Sequence, residues 1–245
     1  MTRIISIVNH KGGVGKTTSV SSLGVALSGL GRRVLLVDLD PQCNLTDSLS
    51  VPRSGRTIYD SLREGKDLPQ VHIRERLWIC PSSLDLVSMD LELSGVSGRE
   101  YRLRDLLSPL GYDYILLDCP PSLGLLTINA LTASGEVFVP LTPEALPAKG
   151  LGTLLDIIRR TREGLNPDLR LGGIIITRYQ RRKINRIVEE SLRETFGDLV
   201  FQTKIRDNVD ISEAPLQGKD IYSYSPRSIG ASDYRDLALE IDKKR

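Results

Sequence analysis

Nine consecutive residues, His10-Lys11-Gly12-Gly13-Val14-Gly15-Lys16-Thr17-Thr18, follow directly on the apolar run 4–8 and carry the residue types that hold phosphate. Gly12, Gly13 and Gly15 let the backbone approach an anion without a Cβ in the way. Lys16 supplies a point charge for the β- and γ-oxygens, and the Thr17 hydroxyl suits Mg²⁺. A strand, a glycine turn and a helix start in this order aim backbone N–H groups and a helix N-terminus at one point. The spacing predicts a nucleoside triphosphate site. The usual pattern G-x-x-x-x-G-K-[ST] has glycine where this chain has His10, and it has no lysine at the position of Lys11. Lys11 cannot easily share the phosphates served by Lys16, so it is placed to reach nucleotide on a neighbouring subunit.

Two further apolar runs end in carboxylates. Val34-Leu35-Leu36-Val37 leads into Asp38-Leu39-Asp40-Pro41-Gln42, and Tyr114-Ile115-Leu116-Leu117 leads into Asp118-Cys119-Pro120-Pro121. Read as buried parallel strands, they deliver Asp38, Asp40 and Asp118 to the carboxyl edge of a sheet, where open α/β folds bind ligands. Asp118 stands where a carboxylate commonly holds Mg²⁺ directly or through water.

These groups must be positioned by alternating elements. Apolar patterning predicts strands near 3–9, 33–37, 76–80, 112–118, 135–141, 171–177 and 199–205. Helical periodicity falls near 16–30, 83–93, 101–109, 122–133, 148–164, 181–197 and 229–243. The alternation predicts an α/β fold with a doubly wound, mostly parallel twisted sheet and helices on both faces, as one domain over 1–245. The segment 43–75 is the least regular and is read as loops with a short helix near 58–63. With 245 residues, 40% of them hydrophobic and 26% charged, the chain can bury a substantial core. Cys43, Cys80 and Cys119 lack C-x-x-C spacing and adjoin apolar or proline-rich runs, so buried thiols are expected rather than disulfides or a metal centre. No apolar stretch is long enough to span a membrane, and the start of the chain carries no secretory pattern; a cytoplasmic protein is expected.

The motifs K-G-G-V-G-K-T-T at 11–18, V-D-L-D-P-Q at 37–42, L-L-D-C-P-P-S at 116–122 and N-V-D-I-S-E-A-P at 208–215 resemble those of the ParA/MinD group of deviant Walker-A ATPases. S-P-R-S-I-G-A at 225–231 is similar to the Soj-like short ParA branch. The resemblance implies ATP and Mg²⁺ as cofactors and a catalytic set of Lys11, Lys16 and Asp40. Lys11 would cross a two-fold interface, so that a homodimer sandwiches two ATP molecules, and Asp40 would position the attacking water. Nucleotide contacts would come from Lys11, Gly12, Gly13, Val14, Gly15, Lys16, Thr17 and Thr18, the last at the α-phosphate. Thr17, Asp38 and Asp118 would serve the metal. The short segment ahead of the loop leaves no room for a helix-turn-helix extension, so operator binding is not expected.

The net charge of +2 conceals a basic run, in which Arg178, Arg181, Arg182, Lys183 and Arg186 follow a strand and enter a helix without an acid among them. Arg159, Arg160 and Arg162 lie on another helix. Taken alone the run is either a solvated face or a surface for phosphate backbones. The resemblance implies the second, nonspecific double-stranded DNA bound by the ATP dimer, with Arg206 in the same set. Soj-like chains commonly read I-P-R-N-V-R where this chain has Ile205-Arg206-Asp207-Asn208-Val209-Asp210. Asn208 is left as the candidate adenine contact, and a basic position has become Asp210. Glu144 and Lys149 are read either as interface residues or as ordinary loop surface. The implied function is a partitioning ATPase on the nucleoid whose hydrolysis is stimulated by a ParB-like partner. A ParA-like positioner of a protein cargo with its own adaptor, and a MinD-like membrane-cycling regulator, are the alternatives. The final helix alternates acids with apolar residues and reads as docked, so stable membrane association is not expected.

Overall fold

Short, almost wholly apolar runs suit strands covered on both faces, and the sheet is built from them. The computed structural model describes residues 2–52, 55–143 and 148–244, without the side chains of 148–150. Glu144 and the Lys149 side chain therefore lie outside the described residues. The strands are β1 (Arg3–Ile7), β2 (Val34–Asp38), β3 (Val71–Arg74), β4 (Leu77–Cys80), β5 (Tyr114–Asp118), β6 (Glu136–Leu141) and β7 (Arg170–Ile176). They form one sheet in the order β3-β4-β2-β5-β1-β6-β7. All neighbours are parallel except β3, which runs antiparallel to β4. The fold is α/β and doubly wound, as the alternation predicts.

The helices are α1 (Lys16–Gly29), α2 (Asn44–Ser48), α3 (Ile58–Glu64), α4 (Met89–Glu92), α5 (Arg102–Leu107), α6 (Leu125–Ala133), α7 (Ala148–Gly164), α8 (Lys183–Phe196), α9 (Val209–Glu213), α10 (Ile221–Tyr224) and α11 (Ile229–Lys243). Successive strand residues point to opposite faces. Val34 and Leu36 of β2 and Tyr114 and Leu116 of β5 therefore join the core beneath α1 and α11. Leu35, Val37, Ile115 and Leu117 join the core beneath α3, α5, α6, α7 and α8. Each fully buried leucine contributes about 1.5–3 kcal/mol, so the two layers hold the sheet from both sides. Strand order reverses around β1, which lies between β5 and β6 while β2 lies beyond β5. The crevice at the carboxyl end of β1 is the place where such sheets take ligands.

Three differences from the sequence reading have physical causes. The segment expected as a strand over 199–205 contributes only a single bridge, Ile174 to Val200, and two backbone hydrogen bonds, Phe201 N to Ile174 O and Ile205 N to Ile176 O. Between them, the Gln202 and Thr203 amides donate to the Glu240 carboxylate of α11 at 2.8 and 2.9 Å, which pulls the segment off β7. The irregular region hides an edge strand, β3, turned back onto β4 with Arg76 in the left-handed region at φ 61°. The helix expected over 83–93 is a 3₁₀ turn, Leu84–Ser88, followed by α4.

Phe201 packs edge-on against Phe138 with ring centroids 5.1 Å apart, and it lies over Gly173 of β7. A Cβ at Gly173 would sit 2.3 Å from the Phe201 ring, which is buried and has no room to yield. Gly173→Ala should therefore destabilise the fold by about 1–3 kcal/mol, read as a lower denaturation midpoint with an unchanged slope.

Candidate nucleotide site

A glycine-rich loop has few side chains with which to hold its own shape, so neighbouring strands must brace it. Two hydrogen bonds do so. Asn9, just past β1, donates from Nδ2 to the Pro140 carbonyl of β6 at 2.7 Å and accepts the Lys11 amide at 3.0 Å. Thr177, just past β7, donates from Oγ1 to the Val14 carbonyl at 2.9 Å. Gly15 enters α1 at φ 86°, a conformation costly for any residue with a Cβ. No acid occupies the first turn of α1, so its N–H groups remain available to an anion. Neither Asn9 nor Thr177 belongs to the loop motif. Thr177 could have been flagged as a polar residue ending an apolar run.

Lys16 is buried, and its ammonium donates to the Lys11 carbonyl at 3.3 Å. Burial lowers its pKa, and attraction to Asp118 and Asp40 partly offsets this. Lys11 is instead exposed at the loop, beside the exposed Gly12 and Gly13. The two lysines of one loop thus occupy opposite environments. Gly12, Gly13, Gly15, Lys16, Thr17 and Thr18 line a cavity of about 710 Å³, together with Asp40, Thr177 and Asn208.

Parallel register sets Asp38 of β2 beside Asp118 of β5, and Asp118 beside Ile7 of β1. Both carboxylates are fully buried, yet they differ in kind. Asp38 accepts the Asp40 amide on Oδ1 at 3.1 Å, and on Oδ2 the Thr46 amide and hydroxyl at 2.9 and 2.7 Å. Burial raises its pKa to about 6 against the pull of those bonds. Neither oxygen of Asp118 has a hydrogen-bond partner. Burial, then repulsion from Asp38, raises its pKa well above the usual carboxylate range, partly offset by the nearby Thr17 hydroxyl and by Lys16. Hard oxygen donors left unsatisfied next to a phosphate loop fit Mg²⁺. Asp118 meets that description, with the Thr17 hydroxyl nearby. Asp38, expected to serve the metal as well, has both oxygens hydrogen-bonded at the β2 end.

At the other end of the cavity, Asn208 has a buried Oδ1 without a partner, while its Nδ2 lies 3.4 Å from Asp210. Arg206 is placed differently from the expected DNA-binding set. Its backbone amide and guanidinium bond the buried Asp233 of α11 at 2.5–3.1 Å, and it lines the cavity. The fork onto this buried carboxylate anchors the half-exposed Arg206 side chain at the rim of the cavity. Arg178 also lines the cavity and stands 3.8 Å from Asp207. Arg181, Arg182, Lys183 and Arg186 are exposed around the start of α8, Arg186 within 3.5 Å of Glu190. Asn185 anchors that start, accepting the Gln180 amide and donating to the Pro143 carbonyl, each at 2.8 Å. On α7, Arg159 pairs with Asp156 and Glu163 of its own helix. The three cysteines are buried thiols outside any disulfide, and among the described residues no three His, Cys, Asp or Glu side chains could together hold a metal ion.

A braced phosphate loop, a buried lysine and strand-end carboxylates at the switch point of a doubly wound sheet define a P-loop nucleotide-binding protein. A family model described as an AAA domain matches residues 2–171. The chain is 43% identical over 249 residues to the sporulation initiation inhibitor protein Soj of Bacillus subtilis, with 98% of each covered. It is 46% identical over 241 residues to the chromosome-partitioning ATPase Soj of Thermus thermophilus, covering 98% of this chain and 95% of that one. The solved cobyrinic acid a,c-diamide synthase of Mycobacterium smegmatis, with bound ADP and magnesium, superposes at a TM-score of 0.85 and 36% identity, covering 98% of this chain and 93% of the other. The chain belongs to the ParA/MinD superfamily of P-loop ATPases, in its Soj-like branch.

A buried carboxylate without a partner is costly in the nucleotide-free protein. Asp118→Asn should raise metal-free stability by about 1 kcal/mol or more, while abolishing the gain in ATP-analogue affinity on adding Mg²⁺. A denaturation series and fluorescent-nucleotide titrations with and without Mg²⁺ would check both halves.

Proposed function

We propose that this chain is a partitioning ATPase that hydrolyses Mg-ATP, dimerises around it, and binds duplex DNA nonspecifically in that state. The observation that carries the reading is the contrast between the loop lysines. Lys16 is buried at the cavity and serves the nucleotide of its own subunit, whereas Lys11 is exposed and serves that of a second copy. Thr17 and Asp118 would hold Mg²⁺, which would supply charge neutralisation on the phosphates. Lys16 and the N–H groups of the loop orient the β- and γ-phosphates. Asp40, whose carboxylate accepts the Gln42 amide at 3.0 Å and lines the cavity, holds the attacking water in line. Phosphoryl transfer asks the protein for little beyond such positioning and charge stabilisation.

The basic start of α8 serves the DNA, with Arg181, Arg182, Lys183 and Arg186 reaching phosphates rather than base edges. Release follows hydrolysis, stimulated by a ParB-like partner, and the protein is nucleoid-associated. The partitioning names of the relatives at 43% and 46% identity support this reading over an amide synthase. Against membrane cycling stands α11, whose Leu237, Ala238 and Ile241 are buried against the α1 layer. No helix among the described residues is long and apolar enough to cross a membrane.

Lys11→Ala should bind ATP within about twofold of wild type yet stay monomeric with ATP in analytical ultracentrifugation; normal ATP-dependent dimerisation would remove the reading. Arg182→Glu should weaken ATP-dependent binding to every DNA sequence alike and lower the slope of log affinity against log salt by about 1. Nucleotide affinity should not change.

A further inference from the structure

Asp40 is gripped through its backbone by Asp38 of its own motif and by two residues, Thr46 and Ser82, that no motif identifies. Four buried residues close a ring of hydrogen bonds at the ends of β2 and β4. The Asp40 amide donates to Asp38 Oδ1 at 3.1 Å, and the Ser82 hydroxyl donates to the Asp40 carbonyl at 2.7 Å. The Ser82 amide donates to Thr46 Oγ1 at 3.0 Å, and the Thr46 hydroxyl returns to Asp38 Oδ2 at 2.7 Å. Asp38 and Thr46 are fully buried, Ser82 is 1% exposed and Asp40 is 7% exposed. Both backbone polar groups of Asp40 are therefore fixed, and one oxygen of its carboxylate accepts the Gln42 amide at 3.0 Å.

Thr46 is the one member whose side chain both donates and accepts within the ring. Its backbone amide also donates to Asp38 at 2.9 Å, which ties the first turn of α2 to the end of β2. Ser82, just past β4, closes the circuit from a different strand.

We propose that Thr46 and Ser82 are positioning residues for hydrolysis, holding Asp40 at the distance and angle that in-line attack requires. The inference rests on the ATPase reading above. Misplacement of a catalytic group by about 1 Å costs on the order of a hundredfold in rate without weakening ground-state binding, because the substrate contacts lie elsewhere. Here those contacts are the loop and Lys16, which the ring does not touch.

The test compares wild type with Thr46→Val, Thr46→Ser and Ser82→Ala in steady-state ATP hydrolysis, fluorescent-ATP binding and thermal melting. Thr46→Val keeps the shape of the side chain and removes the hydroxyl. Its kcat should fall roughly 10- to 100-fold with KM and nucleotide affinity within about twofold. Thr46→Ser, which restores the hydroxyl, should return kcat to within about threefold of wild type. Should Thr46→Val fail to fold, Ser82→Ala removes only the bond to the Asp40 carbonyl, and a roughly tenfold loss in kcat at constant KM is expected. Three outcomes overturn the proposal: hydrolysis at the normal rate in folded Thr46→Val or Ser82→Ala, a parallel loss of nucleotide affinity, or a Thr46→Ser as impaired as Thr46→Val. A wild-type protein that binds ATP but does not hydrolyse it would overturn the ATPase reading itself, and is told apart by the wild-type control.

Discussion

A phosphate loop built from glycines has no packing of its own, and everything at the site depends on its being held by bonds from outside. Asn9 reaches β6 and Thr177 reaches back from β7, so the loop after β1 is braced by the next two strands of the sheet. The order β1-β6-β7 thus does more than bury apolar surface, since it puts the two braces on one side of the loop. On the other side β5 and β2 carry the carboxylates. Loop and acids are registered to each other through β1, which pairs with both β5 and β6.

The two fully buried carboxylates divide the work by their hydrogen bonds. One is saturated by amides and a hydroxyl and serves as a rigid post for the β2 end. The other is left bare, at an energetic cost that a divalent cation would relieve. Sequence position alone makes Asp38 and Asp118 equivalent, each the acid that ends an apolar run. The difference arises from Thr46, eight residues further along, whose turn of helix folds back under the strand.

Parts of the site were legible because their physics is local. Glycine spacing, a lysine at the helix start and acids after apolar runs are read from a few adjacent residues, and the sheet followed from the same runs. The braces, the ring through Ser82 and the bond from Arg206 to Asp233 join residues 27 to 163 positions apart, for which adjacency carries no signal. The segment 199–205 shows the same limit. Its residues suit a strand, but Glu240 takes two of its amides, and a competitor on a distant helix leaves no local trace. Arg206 reads as one more charge in a basic half of the chain until Asp233 is brought beside it.

That diverted segment also bears on the exposed edges of the sheet. A parallel sheet ends in strands whose outer amides and carbonyls could template a neighbour, and such edges invite fibrous growth. On the β7 side the stretch through Phe201 and Ile205 lies across the border, spending two of its own amides on β7 and two on a carboxylate. On the opposite side the border is β3, four residues long, reversed in direction and irregular in register. Among the described residues neither rim offers a long, regular ladder for another strand to extend, so the sheet is guarded against open-ended stacking.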